Sequence, residues 1–264
     1  MLKLLFHTQL SLGLAQAATV AVTALIVAWF AARRGAKIGR EIPFALLRGL
    51  VQILLVGALL ALLMRGPWWT SIPLLIVMIF TAASIVRRRV PELPGAYSLS
   101  LWCMSAGAGG VILFMTAVGI IEPKIAMLIP VGSMVIAQNM NIQSLFLNRF
   151  LGEVGSHRGE IESALALGAT PDNAAAPYLR ASFHASLIPA ADNLRSLGIV
   201  WIPGIMTGMM LSGSSPVYAA LYQFVVLGMI FTAGGLSCLT ATYLAPRRIF
   251  TAHQQLRFLG PRAS

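Results

Sequence analysis

Amide and hydroxyl side chains concentrate in one apolar stretch of the sequence. Residues 125–147 contain Ser133, Met134, Gln138, Asn139, Met140, Asn141, Gln143 and Ser144. At about 100° per residue, Met134, Gln138 and Asn141 share one helix face, and Asn139 and Gln143 lie on an adjacent face. Polar side chains in a membrane segment rarely face lipid, so this arc faces a cavity or another helix. Two interpretations stay open: a translocation path, and hydrogen bonds between helices worth about 0.6–2 kcal/mol per contact.

A second group of methionines follows a Pro-Gly pair. Met206, Met209 and Met210 come soon after Pro203 and Gly204. Thioethers are soft ligands that favour Cu(I), although their commoner role is adaptable packing. We assign Met206 to the translocation path as a hypothesis and leave the identity of any metal ligand open. A Pro-Gly pair inside a membrane helix frees backbone carbonyls, which predicts a hinge at Pro203 and Gly204 or, alternatively, a static kink.

Asp192 lies near one end of a further apolar stretch, three residues before Arg195. This spacing places the two side chains on one helix face, where they can pair. A structural ion pair is the simpler interpretation, because an unpaired charge near the membrane costs several kcal/mol. The alternative is that Asp192 lies at the entrance of the translocation path.

Recognisable catalytic motifs are missing from the sequence. The four histidines are scattered, and no H-E-x-x-H, G-x-S-x-G or Walker A pattern is present. We therefore expect neither enzymatic activity nor a bound cofactor, and an ATP-driven transporter of this sequence would need a partner for ATP hydrolysis. Cys103 and Cys238 lie in separate apolar stretches, which predicts packing rather than a disulfide or a metal site.

The elements that carry these residues are predicted to be membrane-spanning helices. The sequence is 58% hydrophobic and 10% charged, with a mean hydropathy of +0.81, far more apolar than a soluble domain. A helix of about 20 apolar residues crosses a bilayer. Seven stretches reach that length, at about 10–32, 45–64, 67–86, 97–120, 125–147, 190–211 and 216–244. We predict an all-α integral membrane protein with about seven transmembrane helices in a single domain over 1–264.

The basic residues predict the orientation of the chain. A net charge of +11 in a soluble protein would suggest nucleic acid, but here the charges lie in short runs between apolar stretches, next to membrane lipid. Of the 19 Lys and Arg residues, only Lys3, Arg65 and Lys124 fall at one set of ends, while runs such as 33–40 and 87–89 crowd the other. The positive-inside rule then places the N-terminus outside and the C-terminus in the cytoplasm, in the cell inner (plasma) membrane.

Residues 148–189 form the longest hydrophilic interval and hold half of the eight acidic residues. Gly168 suits a left-handed position at a helix C-terminus. Thr170 is a good N-cap, and the proline after it suits the first position of a second helix. We predict a cytoplasmic helix, a sharp turn and a second helix that is interrupted or restarted near Pro177 and Pro189.

The turn between these two helices has a recognisable form. The sequence from Glu162 to Thr170 follows the pattern E-(A/S)-A-x-x-x-G-A-(T/S). It is similar to the coupling helix of bacterial importer-type ABC permeases, in which a glycine-broken helix pair docks in a groove of the ATPase. The resemblance implies ATPase coupling by Glu162, Leu165, Gly168, Ala169, Thr170 and Pro171. The alternative is an alanine-rich amphipathic helix at the membrane interface, which can share this pattern.

Further landmarks extend the resemblance through the C-terminal half. They are Ala166-Leu-Gly-Ala-Thr-Pro171, Ser186-Leu-Ile-Pro189, Asp192, Gly198, Pro203-Gly-Ile-Met-Thr-Gly208, Gly213, Pro216 and Tyr222-Gln223. Their order and spacing resemble the bacterial Fet-type iron-export permease family, whose plant relatives include a membrane protein of aluminium tolerance. The resemblance is clear from about Ile129 to Tyr243 and weaker before it, where Arg48 and Gln52 support it.

This resemblance implies a permease subunit that pairs with a separate ABC ATP-binding subunit. It also implies a homodimer of permeases with two ATPases, and export of metal ions, iron in particular. The alternatives are a secondary transporter or channel without an ATPase, an ABC permease for an organic solute such as a nucleotide sugar, and a membrane scaffold. Amides and thioethers are poor ligands for iron, which keeps the substrate open.

Overall fold

The computed structural model describes residues 9–34, 41–64, 66–200, 202–251 and 253–257. These residues form helices and no β-strand, apart from one isolated bridge between Phe250 and Leu256. The helices are α1 (Gln9–Arg33), α2 (Glu41–Leu63), α3 (Ser71–Arg89), α4 (Ala96–Met104), α5 (Gly110–Ala117), α6 (Ile125–Ser156), α7 (Arg158–Ala166), α8 (Pro171–Arg195), α9 (Gly204–Leu211), α10 (Pro216–Leu244) and α11 (Pro246–Ile249). The all-α prediction is confirmed. Lys3, Arg65 and residues 35–40, which entered the orientation argument, lie outside the described residues.

The chain divides into two compact units, Met1–Gly66 and Pro67–Ser264. In the first unit, α1 and α2 pack against one another and bury almost none of their apolar side chains. Such exposure fits helices whose solvent is lipid. At the end of α1 the Arg33 guanidinium lies 3.8 Å from the centroid of the Trp29 ring, and this pair is typical of the membrane interface. A single functional domain over 1–264 stays a prediction.

Helix α6 is the central helix of the second unit, where it packs against α3, α8 and α10. Its Phe146 and Phe150 are fully buried, with stacked rings 6.2 Å apart. Small residues let the neighbouring helices approach closely. A Cβ added at Gly107 would lie 2.5 Å from the carbonyl oxygen of Ala233. Because lipid is as apolar as the side chains, close packing of this kind contributes more to helix association than apolar burial does.

Six helical segments of the described residues are long and apolar enough to cross a membrane. They are Ser11–Arg33, Ile42–Leu63, Trp68–Arg89, Ala96–Ala117, Ile125–Ser156 and Pro216–Leu244. Each coincides with one of the seven predicted stretches, although the helix predicted over 125–147 continues to Ser156. The fourth segment joins α4 to α5 through a π-helical turn at Ser105–Gly109.

The remaining predicted span, 190–211, is wrong as a single helix. Helix α8 ends at Arg195, and α9 begins only at Gly204. Gly198 has a φ of +75° in the segment between them, and the extended Pro203 caps α9. The apolar composition predicted the length of the segment, but a left-handed glycine and a proline break the helix inside it.

The predicted interruption of α8 at Pro177 and Pro189 is also wrong, because α8 runs unbroken from Pro171 to Arg195. A proline inside a helix loses one hydrogen bond and crowds the preceding turn. Packing of α8 against α6 and α10 holds the helix despite these losses.

Candidate functional site

The turn between α7 and α8 has the local structure that the sequence predicts. Gly168 adopts a φ of +90°, and its amide donates to the Leu165 carbonyl at 3.0 Å. The amide of Ala169 donates to the Ala164 carbonyl, also at 3.0 Å. This pair of bonds is the Schellman arrangement, which satisfies the last carbonyls of a helix. The side chain of Thr170 then accepts from the Asn173 amide at 3.4 Å and starts α8.

We refer to residues 158–175 as the α7–α8 hairpin, and several contacts hold its base. Ile161 is 1% exposed and belongs to the apolar core. Tyr178 donates from its hydroxyl to Glu160 Oε2 at 3.0 Å and stacks on His157 at a centroid distance of 4.9 Å. Partial desolvation, followed by the bond to Glu160, raises the pKa of Tyr178. These contacts make the hairpin a rigid projection of the second unit.

The tip of the α7–α8 hairpin presents an apolar side chain that sequence reasoning missed. Leu167 is 89% exposed, whereas the predicted coupling residue Leu165 turns inward and packs against the core. Glu162 is exposed and accepts from Arg158 Nε at 2.7 Å. The residue directly before a left-handed glycine ends the helix and projects from it, and this position could have identified Leu167.

The buried amide of Asn139 joins three helical segments. Asn139 is 0% exposed, and with its amide oriented to satisfy both neighbours, its nitrogen donates to the Ala233 carbonyl at 3.3 Å. Its oxygen accepts from the Ala108 amide at 3.2 Å. Ala108 lies in the π-helical turn, where the regular hydrogen-bond ladder is disturbed. At Asn139, these two bonds support the interpretation that the polar residues of α6 form hydrogen bonds between helices.

Two other buried amides have no such partners. Gln143 in α6 and Gln223 in α10 are both 0% exposed. Within the described part of the chain, neither side chain has a hydrogen-bond partner on its nitrogen or its oxygen. A buried amide without a partner costs about 1–3 kcal/mol. These two side chains thus retain hydrogen-bonding capacity for water or for a passing solute.

The other predicted path residues of α6 lie in different surroundings. Met134 and Met140 pack partly buried against the core, and Gln138 is partly buried. Asn141 is exposed and accepts from Arg89 Nη1 at 3.0 Å. The arc predicted from helical spacing is therefore divided among core, interhelical bonds and surface, and its role as a translocation path stays a prediction.

Asp192, Met206 and the Pro-Gly pair surround the break between α8 and α9. Asp192 accepts from Arg195 Nη1 at 3.2 Å, and both side chains are largely exposed. Met206 is partly buried in α9. Pro203 is buried and precedes the first residue of α9, Gly204, which has open space where a Cβ would lie. The Pro-Gly pair thus marks the end of the break and not the middle of a helix.

The position of the break follows from the way α8 packs. Pro171, at the start of α8, lines a cavity of about 370 Å³ together with Pro246, and further along Ser186 Oγ lies 3.6 Å from Cys238 Sγ. Helix α8 therefore runs antiparallel to α10. Nine residues beyond Ser186, at about 1.5 Å per residue, Arg195 lies near the level of the middle of α10. The described residues 196–200, 202 and 203 are consequently irregular at about the level of the middle of α10.

Metal-binding side chains do not cluster in the described residues. No group of three or more His, Cys, Asp or Glu side chains is placed there to hold a metal ion. Cys103 and Cys238 are both buried and unpaired by a disulfide. The Cys238 sulfur lies 3.6 Å from the Ser186 hydroxyl, which fits the packing role predicted for this cysteine.

Six apolar helical segments and a rigid projecting hairpin define a polytopic α-helical membrane protein. The chain belongs to the family described as "Uncharacterised protein family (UPF0014)", whose profile matches residues 14–250. This finding confirms the family resemblance read from the sequence landmarks, because iron-export and aluminium-sensitivity proteins are among the relatives.

Three relatives illustrate the range of the family. The "Probable iron export permease protein FetB" of Escherichia coli is 29% identical over 95% of this chain and 96% of its own length. The "UPF0014 membrane protein slr1647" of Synechocystis is 36% identical over 79% of this chain and 83% of its own. "Protein ALUMINUM SENSITIVE 3" of Arabidopsis thaliana is 24% identical over 93% and 90%. No solved structure matched the chain.

Proposed function

We propose that this protein is the permease subunit of an ABC transporter that exports iron from the cytoplasm with energy from a separate ATP-binding subunit. The observation that carries the proposal is the α7–α8 hairpin, which is rigidly capped and presents Leu167 outside the six candidate membrane segments. A docking contact that bears force needs a short fixed helix pair with an exposed anchor. The export activity and the substrate are taken from the name of the Escherichia coli relative.

Helix α8 provides a physical route from the hairpin into the membrane. Its 25 residues measure about 37 Å at 1.5 Å per residue. Movement of the hairpin would therefore displace the far end of α8 near Arg195. The irregular residues 196–200 follow at once, with the Pro203–Gly204 pair as the proposed hinge of an alternating-access cycle.

The irregular backbone of residues 196–200, 202 and 203 supports a path or a protein interface at the level of the middle of α10. Backbone groups outside a helix are tolerated at membrane depth only where they are covered by protein or line a water-filled cavity. We place the translocation path along this segment, together with Asp192, Met206 and the unpartnered amide of Gln143. A second permease copy would cover the remaining backbone, in agreement with the proposed homodimer.

The proposed setting is the cell inner membrane, with the N-terminus outside. In this orientation α3 and α10 both end in the cytoplasm, beside the arginines in the last turn of α3 and in the following helix α11. The α7–α8 hairpin then lies in the same compartment as ATP.

The coupling proposal is tested by Leu167→Ala in protein co-expressed with the proposed ABC ATP-binding subunit. Because Leu167 is 89% exposed, its truncation should leave folding intact while reducing co-purification of the ATP-binding subunit about tenfold, equivalent to about 1.4 kcal/mol. Leu211→Ala is the matched control, since Leu211 is 85% exposed and lies beyond the membrane break. Full co-purification with Leu167→Ala, or none with the wild-type protein, would refute the coupling assignment.

The substrate needs a separate measurement, because one specific observation favours an organic solute. Gln143 and Gln223 offer amides that suit a hydroxylated solute better than iron. Cells that lack the protein should accumulate iron, measured by elemental analysis, and should recover when the wild-type protein is supplied. Normal iron content with raised nucleotide sugars would instead identify the organic solute.

A further inference from the structure

A cationic cavity of about 1130 Å³ lies in the second unit where α3 ends and α4 begins. Arg87 and Arg88 line one side, and Tyr97 and Ser98 line the other. Both arginines are exposed. Among the described residues, none of the ion pairs involves either of them. The cavity therefore holds two guanidinium groups that form no direct ion pair with a carboxylate of the described residues.

A third guanidinium reaches the same place from α11. Arg248 donates from Nη2 to Ser98 Oγ at 3.2 Å. Its Nη1 would lie only 2.8 Å from a Cβ at Gly95, which has a φ of +68° and begins α4. Arg248 is partly buried and takes part in none of the ion pairs of the described residues.

This arrangement places like charges together. The N-terminus of a helix carries a partial positive charge, and here no side chain caps α4. Three guanidinium groups close to that terminus repel one another unless an anion lies between them. Guanidinium groups bind phosphate through paired hydrogen bonds, which makes a phosphate the anion that fits.

An apolar groove of about 200 Å³ continues from the cavity along the same two helices. On α3 it is lined by Phe80, which precedes Ser84 of the cavity by one helical turn. On α4 it is lined by Trp102, one turn after Ser98. Trp102 is 69% exposed although its ring is large and apolar.

We propose that the α3–α4 cavity and groove form a binding site for an anionic phospholipid. The headgroup phosphate would lie among Arg87, Arg88, Arg248 and the Ser98 hydroxyl, and an acyl chain would lie along Phe80 and Trp102. The cationic cavity and the adjoining apolar groove match the charged headgroup and the adjoining acyl chain of a phospholipid. Free phosphate would occupy the cavity alone and would leave the groove without a role.

The headgroup part is tested by thermal unfolding of the full chain in a mild neutral detergent. Phosphatidylglycerol should raise the unfolding temperature of the wild-type protein, and phosphatidylcholine should not. Arg88→Gln and Arg248→Gln should each require about tenfold more phosphatidylglycerol for the same shift. Arg247→Gln is the matched control, because Arg247 carries the same charge but lines the separate cavity beside Pro171.

Two results of that experiment would overturn the proposal. If Arg88→Gln, Arg248→Gln and Arg247→Gln all responded to phosphatidylglycerol as the wild-type protein does, the lipid would bind elsewhere. An equal shift from inorganic phosphate and from phosphatidylglycerol would mean that the cavity binds a free anion. Arg88 is exposed, so Arg88→Gln keeps the test valid if Arg248→Gln fails to fold.

The acyl-chain part is tested with phosphatidylglycerol brominated on its chains, which quenches tryptophan fluorescence on contact. The difference in quenching between the wild-type protein and Trp102→Phe isolates Trp102 from the other four tryptophans. This difference should appear at low lipid concentration and should be reduced in Arg88→Gln. Absence of any Trp102 quenching would mean that protein covers the groove, and equal quenching by brominated phosphatidylcholine would mean a non-specific lipid shell. Either result refutes the site.

Discussion

The turn at Gly168 and the break at Gly198 each contain a left-handed glycine, but they are built in opposite ways. Gly168 lies between two helices whose ends are fully capped, and Ile161 fixes the hairpin to the core. Gly198 lies between α8 and α9, where the described residues 196–200, 202 and 203 are irregular and Ile199 and Val200 are exposed. In the proposed transport cycle, the first region would transmit a displacement and the second region would absorb it.

Helix α8 connects the two regions without interruption. A hinge within α8 would prevent the hairpin from moving its far end. The observed continuity through Pro177 and Pro189 therefore agrees with the proposed cycle better than the predicted interruption would have done.

The largest expected effect is that of Gly168→Val on assembly with the ATP-binding subunit. A β-branched residue at a φ of +90° costs up to about 3 kcal/mol of backbone strain, which would open the capped turn and displace Leu167. Co-purification of the ATP-binding subunit should fall about 100-fold. Gly228→Val is the matched control, since Gly228 is helical in α10 and no atom lies within 4 Å of its added Cβ. Normal assembly of Gly168→Val would show that docking does not require the capped turn at Gly168.

The next effect is that of Gly198→Ala on transport. Alanine at a φ of +75° costs about 1–2 kcal/mol, so iron efflux should slow by about 5–30-fold if the break changes conformation in each cycle. Assembly with the ATP-binding subunit should stay unchanged, because the hairpin is intact. Gly208→Ala, in the helical part of α9 with open space around it, should transport normally. Loss of assembly in Gly198→Ala would mean that the two regions do not have separate roles.

The sequence predicted the first region far better than the second. The left-handed Gly168 and the Thr170 cap depend on neighbours within a few residues, and such signals are visible in a sequence. The length of apolar residues over 190–211 indicated a span, but Gly198 and Pro203 redirect the backbone within it. Hydropathy counts apolar residues and does not register a change of backbone conformation.

Distant contacts explain the other differences. The Ala108 amide and the Ala233 carbonyl, which Asn139 binds, lie in segments that the sequence does not connect. The spacing of the residues predicted the polar arc of α6. The hydrogen-bond partners of its side chains depended instead on the packing of α4 and α10. The continuity of α8 through two prolines has the same origin.

A smaller effect is expected from Asn139→Ala, which tests the hydrogen bonds that join α6 to α10 and to the π-helical turn. The substitution removes two interhelical hydrogen bonds, and such bonds are worth about 0.6–1.7 kcal/mol in a membrane protein. The midpoint of thermal unfolding in detergent should fall measurably. Asn193→Ala removes an amide at an exposed position of α8 and should change stability by less than about 0.5 kcal/mol. Equal stability of the two variants would show that Asn139 does not join the helices.

The smallest effect concerns the base of the hairpin at high pH. Desolvation and the bond to Glu160 raise the pKa of Tyr178 above that in the unfolded chain, so the folded state favours the protonated phenol. Its contribution is present below the ordinary tyrosine value of about 10 and is lost as the pH rises through the folded value. Absorbance titration should therefore show that Tyr178→Phe removes a late-ionising tyrosine. That variant should lose less hairpin protection from hydrogen exchange above pH of about 10 than the wild-type protein does. Identical titration curves would mean that the phenol is not held by Glu160, and the hairpin base would then depend on Ile161 and the His157 stack alone.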